Sequence, residues 1–228
     1  MEQWSKKYDS LNAGYGTLAN EKSQLESVSK SDEAKLSDRE RKIAEEEKRL
    51  KELQGVMDAQ RNAIANLKQE VCSALKCFTP DELTVEVRDG KLYVSMSDKL
   101  LFPSGSDEVN KRGKEAVEML AAVLKNSDLE IMVEGHTDNV PISGGRNKDN
   151  WDLSAHRATS VTRLFIDKGI APERIIASGR AEFHPLKSND TPEGRAGNRR
   201  TEVVLSPKLD KLWKLTNTGS LDDVTSTK

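Results

Sequence analysis

Leu83-Thr84-Val85-Glu86-Val87-Arg88-Asp89-Gly90-Lys91-Leu92-Tyr93-Val94-Ser95-Met96 places apolar side chains at alternate positions on both sides of an Asp-Gly pair. A period of two is the pattern of a half-buried strand, and Asp-Gly between two such runs predicts a hairpin. Thr79-Pro80-Asp81, just upstream, breaks any preceding helix. Downstream, Glu108 to Leu124 predicts an amphipathic helix with Val109, Ala116, Leu120 and Val123 near one face. Leu129 to Val133 predicts a short strand that runs into Glu134-Gly135-His136-Thr137-Asp138. Ser154 to Lys168 predicts a second helix, opened by Asp152 or Ser154 as N-cap and closed by Gly169. Arg174 to Ser178 and Thr201 to Leu205 complete the strands. Strands interleaved with two helices over residues 79–206 predict a small α/β sandwich, a mixed sheet with helices on one face. Residues 207–228 read as a polar tail anchored only by Leu209, Leu212, Trp213 and Leu215.

Upstream of the hairpin a different period governs. Leu36, Ile43, Leu50, Met57, Ile64, Val71 and Phe78 recur at every seventh residue, and the same frame extended backwards takes in Tyr15 and Tyr8. Trp4, Leu11, Leu18, Leu25, Leu53 and Leu67 fall at the companion positions, giving the a and d seam of a coiled coil. Lys22, Ser29, Asp32, Arg39, Glu46 and Gln60 interrupt the seam, as polar residues that fix register and oligomer state do. A surface helix on a globule seldom runs beyond about 25 residues without caps or breakers, so residues 1–78 are expected to form a coiled-coil rod on the order of 100 Å long. The fold class is therefore α+β: a long N-terminal α-helical coiled coil, then the sandwich, with a homo-oligomer expected through the seam.

This division explains a composition that suits no single globule. The 228 residues are 32% charged and only 4% aromatic, too polar for one large core. Lys and Arg number 36 against 38 Asp and Glu, so bulk charge excludes a nucleic-acid partner recognised through a general basic surface. Met119 to Leu124 is the longest apolar run, far short of the roughly 20 residues that span a bilayer. Met1-Glu2-Gln3-Trp4 lacks the basic and apolar regions of a secretory signal. Either a cytosolic protein or one cut from its export segment fits that beginning. Cys72 and Cys77 are too few for a disulfide scaffold and lack zinc-site spacing.

Charged and polar side chains gather in two loops of the sandwich: Gly135-His136-Thr137-Asp138-Asn139 with Asn150-Trp151-Asp152-Leu153-Ser154-Ala155-His156-Arg157-Ala158, and Gly194-Arg195-Ala196-Gly197-Asn198-Arg199-Arg200. Arg157, one turn into the second helix, is placed to reach back towards Asp138. An acid beside a guanidinium suits an amino-acid ligand, because one accepts from an ammonium and the other grips a carboxylate in a two-pronged contact. An internal salt bridge that orders the loop is the plainer reading of the same pair. His136, His156 and His184 show no metal-ligand spacing, and neither a Gly-x-Ser-x-Gly elbow nor a phosphate-binding loop occurs, so no enzyme, cofactor or metal is expected.

Those loops, with Ser188-Asn189-Asp190-Thr191-Pro192-Glu193 leading into the second, resemble the peptidoglycan-binding domain shared by OmpA-like proteins and the flagellar stator protein MotB. The resemblance covers residues 80–206, and Asn139-Val140-Pro141-Ile142 with Asn150-Trp151 is closer to the MotB branch. It implies non-catalytic binding of peptidoglycan through the diaminopimelate of the peptide stem. Asp138 matches the acid that receives the ligand's ammonium and Arg157 the arginine that holds its carboxylate. Thr137, Asn139, Asn150, Leu153 and Ser154 match the pocket lining, Arg199 the Asn-Arg-Arg motif, and Phe102 to Ser106 a flanking loop. The implied setting is the periplasm of a Gram-negative bacterium, with the protein tethering the outer membrane to the wall through an anchor outside this sequence. The alternatives are a coiled-coil scaffold with a protein-docking C-terminal domain, or the periplasmic part of a MotB-like stator protein.

Overall fold

The computed structural model describes residues 2–103, 106–142, 147–208 and 213. The chain divides into two compact units, Met1–Gly55 and Val56–Lys228. Helix α1 runs from Glu2 to Ala74 and supplies the whole of the described first unit. Its final turns belong to the second unit, where Ile64, Leu67 and Val71 are buried in the core with Leu75. Those seam positions pack on their own domain, although the heptad frame runs through them unchanged. The periodicity of the sequence cannot register that burial.

After α1 the order is β1 (Leu83–Arg88), β2 (Lys91–Ser97), α2 (Asp98–Leu101), α3 (Lys111–Leu124), β3 (Glu130–His136), α4 (Asn150–Asp167), a 3-10 turn (Pro172–Arg174), β4 (Ile175–Gly179), α5 (Pro192–Asn198) and β5 (Arg200–Ser206). The five strands form one sheet in the order β1-β2-β5-β3-β4, with β3 and β4 parallel and every other pair antiparallel. Asp89 and Gly90 both take positive φ, 50° and 72°, as a two-residue hairpin turn requires, and Arg88 pairs with Lys91 across it. Leu92, Val94, Met96, Ile131, Val133, Val203 and Leu205 fill the helix-covered face together with Ala116, Leu120, Val161 and Phe165.

Local capping moves several boundaries from their sequence-based positions. Helix α3 starts at Lys111 because the Asn110 side chain accepts from the Gly113 N–H at 2.8 Å. Helix α4 starts at Asn150, four residues before Ser154, because Asp149 is its N-cap and accepts from the Asp152 N–H at 3.0 Å. Asp152 in turn accepts from the N–H of Lys148, the residue before the cap, at 2.9 Å, so it is a first-turn residue rather than the cap. Helix α5 is seven residues long, too short for a helical period to show, and is set by Thr191 as N-cap and Pro192 in its first turn. Most of the expected polar tail, residues 209–212 and 214–228, lies outside the described residues.

The packing of α4 on β3 is close. A Cβ at Gly135 would stand 2.1 Å from the Ser154 carbonyl oxygen, so only glycine lets the helix backbone approach this strand. The opposite face of the sheet is polar. Glu134, His136 and Glu202 are buried there; Arg180 Nη2 lies 2.7 Å from Glu134 Oε1, and Arg88 Nη2 2.9 Å from Glu202 Oε1. His136 Nε2 stands 3.6 Å from Glu134 and 3.5 Å from Glu202, long contacts, and among the described residues neither ring nitrogen makes a full hydrogen bond. The ligand atoms of these three residues lie within 4.8 Å of one another, close enough for a cation. Arg88, Arg180 and Arg200 already neutralise the carboxylates, and their field opposes a further positive charge.

Two outcomes follow from these contacts. His136 and, at firmer hydrogen-bond distance, Arg180 hold the Glu134 carboxyl at about 2, below its ordinary 4.5 and against the effect of burial. A depressed carboxyl stabilises the fold above its unfolded value and loses that contribution as pH falls from about 4.5 to about 2. Urea unfolding is therefore expected to show stability falling by up to about 3 kcal/mol over that window, and Glu134→Gln should flatten the fall. Gly135→Ala is expected to cost about 2–3 kcal/mol and lower the melting temperature, because backbone rather than a flexible side chain must give way.

Candidate functional site

Sheet register brings the site together. Strand β5 lies between β2 and β3, and Arg200 pairs with Ser97 on one side and His136 on the other. Each strand therefore reaches the same end of the sheet at the same level. Just past that level stand Asp98, Thr137-Asp138 and Arg199, drawn from segments about 40 and 60 residues apart. Arg199 turns to the helix-covered side, while Arg200, the next residue, enters the opposite face and contacts Glu202 at 3.2 Å.

Helix α4 supplies the remaining charge. Arg157 is buried and donates from Nη1 to Asp98 Oδ1 at 2.9 Å and from Nε to the Ser106 carbonyl at 3.1 Å. Its guanidinium carbon lies 4.9 Å from the centre of the Phe102 ring. Arg199 donates to Asp138 Oδ2 and places Nε 3.9 Å from Asp98 Oδ2. The order of contact is thus Arg157, Asp98, Arg199, Asp138. The direct approach of Arg157 to Asp138 expected from the sequence is not what the structure has: Asp98 takes Arg157, and Arg199 takes Asp138. Burial pushes the Asp98 carboxyl up from its ordinary value, although Arg157 and Arg199 pull it down. Burial likewise lowers the Arg157 guanidinium.

The loop after β3 is held by its own polar atoms. Asp138 Oδ1 accepts from the Val140 N–H at 3.2 Å, and Asn150 Nδ2 donates to the carbonyls of Asp138 and Val140 at 3.3 and 3.2 Å. The Thr137 N–H donates to the Ala181 carbonyl at 2.9 Å. These bonds leave a cavity of about 530 Å³ lined by Thr137, Asp138, Asn150, Leu153, Arg157 and Arg199 from the expected set, with Asp98, Lys99, Phe102, Val140, Pro141, Ile142 and Arg195 added.

Two expected residues stand apart from it. Asn139 is exposed and does not line the cavity. Ser154 is fully buried; its hydroxyl donates to the Trp151 carbonyl at 3.0 Å and accepts from the Ala181 N–H at 3.1 Å, so it ties α4 to the segment after β4. Ser104 and Gly105, within the expected flanking loop, lie outside the described residues. Asp98 was missed by sequence reading because nothing local marks it. The available signal was Ser97-Asp98 closing a strand, which in a sheet of this order places an acid beside the β3 loop.

Comparison with known proteins agrees with this architecture. The model of the OmpA family matches residues 101–199. The outer-membrane lipoprotein YfiB of Pseudomonas aeruginosa is 32% identical over 134 residues, which are 58% of this chain and 77% of that protein. A MotB-like protein from Desulfovibrio vulgaris superposes with a TM-score of 0.63 at 28% identity, over 67% of this chain and 96% of its own. The cell wall anchor of the T6SS from Pseudomonas aeruginosa gives 0.56 at 31% identity, over 62% and 97%. The chain spans between 52% and 59% of the length of the first curated relatives it matches. Among the described residues no helix is long and apolar enough to cross a membrane. Fold, sheet-end loops and relatives converge: the chain belongs to the OmpA family.

Proposed function

We propose that the second unit binds peptidoglycan without catalysis, through the diaminopimelate of the peptide stem, and so tethers an envelope membrane to the wall. The observation that carries this reading is the linked set of two acids and two arginines, Asp98, Asp138, Arg157 and Arg199, in a cavity that Lys99 and Arg195 also line. An amino acid presents an ammonium and a carboxylate on one carbon, and such a cavity offers a partner to each. Asp138 accepts from the ammonium. Arg157 and the Arg199 released from Asp138 grip the carboxylate, and Thr137, Asn150 and Leu153 shape the surrounding wall. Asn139 lies at the rim, and Ser154 acts by fixing α4. Support also comes from the relative described as a cell wall anchor and from one described as an outer-membrane lipoprotein. The periplasm, beside the outer membrane of a Gram-negative cell, is the proposed setting. Residues 1–78 serve as the spacer.

Co-sedimentation with insoluble peptidoglycan tests the site. The unmodified protein is expected to pellet, and Asp138→Ala with Arg157→Ala to reduce the bound fraction about tenfold or more, since each charge-assisted contact contributes about 1.5–3 kcal/mol. Unchanged pelleting by the double variant overturns the site; no pelleting by the unmodified protein favours a protein-docking scaffold. Walls whose stem carries lysine in place of diaminopimelate should bind more weakly, because the side-chain carboxylate is missing. Binding should also weaken as salt rises from about 0.1 M to about 1 M, where the screening length falls from roughly 10 to 3 Å.

A further inference from the structure

Helix α1 leaves a row of large apolar side chains in solvent. Leu36, Ile43 and Leu50 are 58%, 59% and 58% exposed, one in each successive heptad. Water is a poor environment for such a row, and a second helix is its natural cover. The flanking charges say which helix and in which direction. With Leu36, Ile43 and Leu50 at the a positions, the e positions hold Glu33, Glu40 and Glu47, and the g positions hold Lys35, Lys42 and Arg49. These three e residues are all acidic and these three g residues all basic; Gln54 and Val56 end the pattern in the next heptad.

In a parallel two-stranded coil each g side chain reaches the e side chain of the partner's next heptad, so Lys35 meets Glu40 and Lys42 meets Glu47, each twice by symmetry. In an antiparallel coil e faces e and g faces g, and the same charges repel. The contacts these bases make within one chain are exposed: Lys35 lies 3.1 Å from Asp32, and Lys42 2.9 Å from Asp38. Such surface pairs are weak enough to be redirected. Of the three charged d positions, Asp32, Arg39 and Glu46, the two acids have a base on their own helix. Asp32 has Lys35 beside it, and Glu46 has Arg49 at 4.0 Å, so each acid is offset on its own helix before it meets its copy. Long charged side chains at a two-stranded seam also reach the rim and keep their charge in water.

We propose that α1 pairs with α1 of a second copy of this chain as a parallel, in-register, two-stranded coil over residues 29–57. This fixes the partner and direction of the self-association expected from the heptads, and it holds independently of what the second unit binds. The test uses the full chain with Cys72→Ser and Cys77→Ser, since both cysteines are free and exposed. Leu36→Cys and Leu50→Cys are introduced separately and oxidised with air and copper phenanthroline. Both variants should cross-link to their own copies, whereas an antiparallel coil brings at most one of the two positions opposite itself. Lys35→Glu with Lys42→Glu should weaken the dimer roughly tenfold or more by sedimentation, as four attractive contacts become repulsive. Adding Glu40→Lys and Glu47→Lys should restore it, with helix content followed by circular dichroism. Cross-linking at one position alone or at neither, an unchanged dimer on charge reversal, or a monomeric unmodified chain overturns the proposal.

Discussion

The register of three strands governs the arrangement of the second unit. Because β5 runs antiparallel to both neighbours and Arg200 aligns with Ser97 and His136, three chain segments cross one edge of the sheet together. Asp98, Asp138 and Arg199 owe their proximity to that alignment alone. A slip of one residue in either pairing would exchange the faces of the strand and send Arg199 among Glu134, His136 and Glu202. Hydrophobic packing enforces the register, since Val203 and Leu205 must meet Val94, Leu92, Val133 and Ile131 on the covered face. The charged edge is thus positioned by the apolar interior behind it.

The second layer depends on Gly135. With no side chain there, α4 lies against β3 closely enough for Arg157 to reach Asp98 and for Ser154 to bond the segment after β4. Loop atoms then complete what the two layers begin: Asn150 clamps the turn at Asp138 and Val140. Side-chain bonds to the backbone, from Asn150 and to Asp138, accordingly hold the cavity wall.

Much of this was legible from residue order, for identifiable reasons. The hairpin around Asp89-Gly90 was readable because turn chemistry and alternation are both local. Asp138 and Arg157 were readable because their motifs are distinctive. Asp98 was not, because its role arises from strand order, which no local pattern encodes. Ser154 was expected in the lining because the resemblance matches it to a pocket position, yet the helical turn carries it towards Gly135 and out of the cavity. The heptad seam concealed the burial of its last turns for a related reason: Ile64 and Val71 satisfy the same spacing whether a second helix or their own domain's core receives them.

The chain of contacts from Arg157 through Asp98 and Arg199 to Asp138 carries two positive and two negative charges, so it is neutral with no ligand bound. A bare cation that captured Asp138 would leave Arg199 only its longer contact to Asp98, and a bare anion that captured Arg199 would leave Asp138 only the Val140 N–H. Either exchange leaves a partly desolvated charge with a weaker partner than before, which costs free energy. Only a molecule bearing both signs at short separation can exchange with the internal pair and leave the sum unchanged. On the proposed reading the internal pair competes with any ligand, so charge balance selects a zwitterion before any question of shape arises.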